Sequence, residues 1–339
     1  MAMTPNPQSS TSAPPAKLVI GLIAGVAILL ALMVTAFALP AARSAPHQVP
    51  IGVVATAATT QQLTDQLDGF DVTAYPTESA ARAAIDHREI YGAIIVDGRD
   101  VTALVASAAS PAVAALLTPI AQRVASSTGG TAHIEDIRAF PADDPRGAGL
   151  AAGALPLALG GWIAAMVIML LIHTPGARLL AVAGVAVVGG LVLVATLRFV
   201  IGTFDEHFWT ISLVAMLGIF ATAMMVLGLR ELFGGPGLAL AAVLLIFLGN
   251  PLSGLASAPE MLPTPWGAIG QLLPPGATGA LLRDVAFFNG HGAAGPVLVL
   301  IVWLAIGLSL YVIGVRRNRN QHQADDDSIT VGRHTVPNG

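Results

Sequence analysis

The side chains able to do chemistry gather in two places in this sequence. Asp205-Glu206-His207 is the densest ionisable cluster between the apolar runs of 148–315. Its plainest reading is a loop that keeps its charges in water, because it lies outside the apolar runs; a proton-coupling site is the alternative. The second place is Gly249 to Gly290. There Asn250-Pro251 interrupts an apolar run. Proline removes a backbone donor and asparagine offers side-chain partners, so a helix is expected to break at that point. Leu273-Pro274-Pro275-Gly276 follows, and Glu260 and Arg283 flank the segment. The two opposite charges are expected to pair near a membrane face, where partial burial strengthens their attraction. Asn250, Pro251, Glu260, Pro274, Pro275 and Arg283 are therefore the candidate lining of an outer gate or path. The bland alternative is that they only shape a cap.

Catalytic chemistry finds no foothold. The chain has no cysteine, which removes thiolate nucleophiles, disulfides and cysteine metal sites. Its eight histidines are scattered along the chain. No phosphate loop, Gly-x-Ser-x-Gly elbow or His-Glu-x-x-His motif occurs. The expectation is a non-enzyme with no catalytic, cofactor-binding or metal site. No basic stripe with interleaved aromatics appears, so nucleic acid is set aside.

The elements that must position these residues belong to a bilayer. The chain is 55% hydrophobic and 11% charged, far below the roughly 25% charge of soluble domains. Long apolar runs account for the deficit. Residues 1–17 are rich in Ser, Thr and Pro and are expected to be a disordered tail. The uncharged run 18–39 is long enough to span about 30 Å of hydrocarbon. Ala36-Phe37-Ala38 looks like a cleavage site, but the run exceeds a signal h-region of about 7–15 residues, which favours a retained anchor.

Residues 40–147 differ in kind, with frequent polar residues and short apolar runs. Strands are expected at Pro50–Ala55, Asp71–Tyr75, Tyr91–Val96, Val101–Val105 and Thr131–Phe140. Helices are expected at Gln61–Leu67, Glu78–Ile90 and Pro111–Ser126. This alternation predicts one small α/β domain. From 148 to 315 five further spans are expected: Ala148–Ile172, Leu179–Ile201, Phe208–Leu229, Gly237–Ala256 and Pro296–Val315. An irregular outer segment, 250–295, precedes the last of them. Residues 316–339 read as a second disordered tail. Small residues such as Gly184, Val188 and Gly189 suit close helix packing, and a homodimer through such a face is open. No ionisable residue is expected in the middle of a span. Lys17, Arg178, Arg230, Arg316, Arg317 and Arg319 all fall on one side if both termini are cytoplasmic. The fold class predicted is thus an α-helical polytopic membrane protein, with six transmembrane helices and a small α/β extracytoplasmic domain between the first and second. A bacterial plasma membrane is the expected location.

One family resemblance attaches to the segment Gly249 to Gly290. The order Gly249-Asn250-Pro251, Leu252-Ser253-Gly254, Met261-Leu262-Pro263, Trp266, Leu273-Pro274-Pro275-Gly276 and Leu282-Arg283 is similar to the C-terminal half of type-2 ABC transporter permeases. Within them it resembles the phage-infection-protein (YhgE/Pip) branch, which also begins its outer domain with a strand like Pro50-Ile51-Gly52-Val53-Val54. The resemblance implies a permease, with export of hydrophobic or amphipathic compounds and a separate ATPase subunit. The loop His173 to Arg178 departs from that pattern, being shorter than the few turns a docking helix needs. A non-transporting scaffold or receptor, its outer domain binding a partner, is the second function class. Half of a proton-driven efflux pump has a related layout but carries acids in mid-helix, which this chain lacks.

Overall fold

The computed structural model describes residues 16–255 and 257–334. The expected tail 1–17 thus lies outside the described residues, except for Ala16 and Lys17, which begin the first helix. The chain is mostly helical, with one small mixed sheet. The first helix, α1 (Ala16–Ala42), leads into β1 (Val49–Val54), α2 (Ala57–Gln66), β2 (Phe70–Ala74), α3 (Glu78–Asp86), β3 (Gly92–Asp97), β4 (Asp100–Val105), α4 (Pro111–Thr128) and β5 (Ala132–Asp136). The sheet order is β2-β1-β3-β4-β5. β3 and β4 form an antiparallel hairpin across Asp97–Asp100, and the other pairings are parallel.

Local chemistry sets these boundaries. Thr56, Thr77 and Ser110 each cap a helix, their hydroxyls accepting from the backbone N–H of Thr59, Ala80 and Val113. Pro111 sits in the first turn of α4, where its missing donor does no harm. The central strands bury Ile51, Val53, Ile94 and Leu104 completely, while both edge strands stay half exposed.

The remainder is a helical bundle: α5 (Ala148–Leu171), α6 (Pro175–Thr196, extended by a π turn to Ile201), α7 (Phe208–Phe233), α8 (Gly235–Ala242, extended by a π turn to Gly249), α9 (Trp266–Gln271), α10 (Pro274–Phe287) and α11 (Ala294–His334). Among the described residues four helices are long and apolar enough to cross a membrane: Val19–Leu39, Pro175–Ile201, Phe208–Phe233 and Ala294–Gln321. Leu159–Leu171 and Gly235–Gly249 are shorter apolar helices.

Several expectations differ from this layout. The span expected at Gly237–Ala256 stops at Gly249, because its last turn widens to π geometry just before Pro251. The tail expected to be disordered from Arg316 continues α11 as far as His334. No proline or glycine interrupts it before Gly332, and Arg, Gln and Ala there are sound helix formers. Packing also selects other small residues. Gly184 has open space around it, whereas α6 buries Val182, Ala186, Gly190 and Val194 against its neighbours.

α7 is the centre of the bundle, and α11 lies along it. At Gly228 an added Cβ would run into the carbonyl oxygen of Gly307, and at Gly307 it would meet the Met224 backbone at 2.7 Å. The two helices thus touch backbone to backbone, as small residues allow.

Candidate functional site

The segment between α8 and α11 is built around a broken helix. Pro251 has no N–H to continue the ladder. Leu252 N–H donates back to Leu248 O at 3.1 Å, and the Ser253 hydroxyl donates to Asn250 O at 2.7 Å. Gln271 then ties the far side, its Nε2 donating to Ser253 O at 2.8 Å. The role expected of the Asn250 side chain is therefore taken by Ser253. Among the described residues the Asn250 side-chain amide makes no hydrogen bond. α10 opens with Pro274 and Pro275 in its first turn. Pro275 seats on Gly249, where an added Cβ would lie 2.7 Å from the proline ring. Asn250, Pro251, Pro274 and Pro275 are thus brought together at the meeting of two helix ends.

Glu260 and Arg283 lie higher, where the segment meets the α/β domain. Two backbone bonds clamp the Glu260 turn there: Ala45 N–H donates to Met261 O at 3.1 Å and His47 N–H to Glu260 O at 2.8 Å. Beneath the clamp is a polar cavity of about 240 Å³, lined by Arg88, Tyr91, Glu260, Gln271, Arg283 and Asp284 among others. Arg88, two residues past the end of α3, stands in the left-handed region, at φ 66°. That turn aims its guanidinium down to Asp284, 3.0 Å away, and across the ring of Phe288. Tyr91 donates its hydroxyl to Glu260 at 2.7 Å. Burial of that hydroxyl pushes the phenol above its ordinary pKa, and the Glu260 carboxylate pushes the same way.

The expected Glu260–Arg283 pair does not form. Both line the cavity, but Arg283 donates to Leu255 O at 2.9 Å instead, and Glu260 is engaged by Tyr91. Arg283 is 4% exposed and its Nε has no partner among the described residues. Arg88, Tyr91 and Asp284 were not legible as site residues. Their partners lie on segments far apart in sequence, and the one local signal is the adjacency of Asp284 to Arg283 between apolar residues.

A second cavity, of about 360 Å³, opens on the other side of the broken segment. Its walls are the end of α1 (Thr35 to Arg43) and the stretch Phe247 to Trp266, and they are almost wholly apolar. Two polar knots lie outside both cavities. Asp144 accepts from Ala148 N–H and Gly149 N–H at 2.8 Å each and from the Thr203 hydroxyl at 3.0 Å, fastening the start of α5 to the turn after α6. At the opposite end of the bundle Arg178 pairs with Glu231 at 2.9 Å, and Asn318 donates to the same glutamate. Asp205-Glu206-His207 remains a loop before α7, with Glu206 largely in solvent. Among the described residues no three of His, Asp and Glu converge to hold a metal ion.

Comparison with known proteins returns no similarity: no family model, curated protein or solved structure matches the chain.

Proposed function

We propose that this chain is a bacterial plasma-membrane permease of the type-2 ABC kind, exporting hydrophobic or amphipathic compounds. In this reading six helices cross the bilayer: α1, α5, α6, α7, α8 with its π turn, and α11. Both termini are cytoplasmic and the α/β domain stands outside. The carrying observation is the broken helix: α8 ends at Gly249, and α10 starts again from Pro274 and Pro275 against it. Irregular backbone at bilayer depth survives only where protein or a wet cavity covers it, and π turns recur at functional sites. The apolar groove beside the break suits an amphipathic cargo. Arg178, Arg230 and Arg316 fall at the far end from the α/β domain, in keeping with the excess of basic residues on cytoplasmic loops.

An efflux or drug-sensitivity assay at normal expression tests this. Asn250→Leu and Arg283→Ala each reduce export while the protein stays in the membrane, and Arg283→Lys retains part of it. Unchanged export in well-expressed variants removes the gate. Reporter fusions test the layout: Gly98 outside; Gly176, Gly234 and Asn320 inside.

The second reading is a non-transporting scaffold or receptor. It is favoured by the far end of the bundle, where Arg178, Glu231 and Asn318 tie short connections together, with no helix between α5 and α6 for an ATPase to grip. A cleft of about 570 Å³ between α2 and α4 then becomes the partner surface. Co-purification of an ATPase subunit decides for the permease. A wild-type chain that moves nothing, with or without an ATPase, decides for the scaffold.

A further inference from the structure

We infer that the groove beside α1 holds the acyl chain of an anionic membrane phospholipid, with the phosphate seated on Arg43. The inference rests on the bilayer placement proposed above, and not on transport.

The walls select the occupant by chemistry. Leu39, Leu248, Pro251, Leu252 and Leu262 offer carbon to the interior. Thr35, the one hydroxyl in the wall, donates to Ala31 O at 2.8 Å and so asks nothing of a ligand. Such a surface gives water no partners, and a polar solute would lose its own hydrogen bonds there. A chain of methylenes loses nothing. Arg43 is the only charged residue in the lining. It follows the last turn of α1 directly and forms no ion pair among the described residues. Trp266 stands at the rim, 47% exposed, as an indole does at a headgroup boundary. An apolar slot closed by one cation and one indole is complementary to a tail with a negative head. A zwitterionic head gains far less from a lone arginine, because its own cation opposes the approach.

The test uses the full chain in phosphatidylcholine vesicles doped with brominated-chain phosphatidylglycerol or, separately, with brominated-chain phosphatidylcholine. Bromine quenches a tryptophan it touches. The share of emission due to Trp266 is taken as the difference between wild-type and Trp266→Phe chains. Phosphatidylglycerol is expected to quench that share at about fivefold lower mole fraction, the preference that one arginine near a membrane surface confers. Arg43→Gln removes the preference and leaves quenching at the phosphatidylcholine level. Native mass spectrometry of the wild-type chain from detergent provides a measurement free of variants: one phosphatidylglycerol is retained when both lipids are supplied equally. Equal quenching by the two lipids overturns the inference, as does a preference that survives Arg43→Gln. A Trp266 that neither lipid reaches, in a chain that runs as a dimer, overturns it too and assigns the groove to a second copy. A failed efflux assay touches none of these outcomes, and equal quenching leaves the export reading standing.

Discussion

α1 and α7 are two helices that hydropathy reads alike as membrane spans. Each holds a run of more than twenty residues without a charge, Leu18–Leu39 in one and Phe208–Leu229 in the other. In the fold they are opposites. The most apolar window of α7 is 78% buried inside the protein, and that of α1 is 0% buried. An apolar sequence states which solvent a helix tolerates. It does not state whether protein or lipid supplies that environment. What separates the two is shape: α7 carries Gly218, where Thr278 of α10 fits, and Gly228, where α11 fits, whereas Gly21 and Gly25 of α1 meet nothing within 4 Å.

If protein contact rather than hydropathy sets the contribution of each residue, substitutions should rank by what they touch. The largest effect is expected above α7, where α10 carries the junction. Asp284→Ala leaves Arg88 and Arg283 without their nearest carboxylate and should destabilise by about 3–5 kcal/mol. Thermal unfolding in detergent measures this. Arg88→Met with Asp284→Leu should recover part of the loss, since that apolar pair removes one of the two stranded charges and leaves Arg283 as the other. Gly228→Leu comes next, at about 3 kcal/mol, because its side chain meets backbone that cannot rotate aside; loss of the monodisperse peak in size-exclusion chromatography reports it. Asp144→Ala, which frees the first donors of α5, should lower stability by about 1–2 kcal/mol in the same unfolding assay. Gly25→Leu in α1 should shift stability by no more than about 0.5 kcal/mol. A destabilised Gly25→Leu beside an undisturbed Gly228→Leu would reverse the comparison.

The α/β domain was largely legible because its signals are local. Alternation in Asp71–Tyr75, the β-branched run at Tyr91–Val96, the Asp97-Gly98 turn and the proline of α4 place the elements within a few residues of where they stand. Strand order was not legible, since it depends on which strands meet after the chain has crossed over. In the bundle the apolar runs were legible, but the end of α8 was not. Proline at 251 announced a break, yet the widened turn begins at Val243, ahead of any residue that signals it. The candidate site divided along the same line. Asn250-Pro251 and Pro274-Pro275 are brought to one place through the contact of Pro275 with Gly249. Glu260 and Arg283 reach one cavity but take other partners. The Tyr91 hydroxyl engages Glu260 and the Leu255 carbonyl engages Arg283 in place of the ion pair.

The seam between α7 and α11 also has a mechanical consequence. Helices separated by side chains can slide a little, because rotamers yield before backbones do. Where Gly228 and Gly307 press main chain against main chain, no such cushion exists. The two helices form a stiff spine, and relative movement falls first on the more compliant members hung from it. Those are the π turn ending at Gly249, where the ring of Pro275 is the nearest neighbour, and α1, which lies against the rest of the chain without being gripped by it.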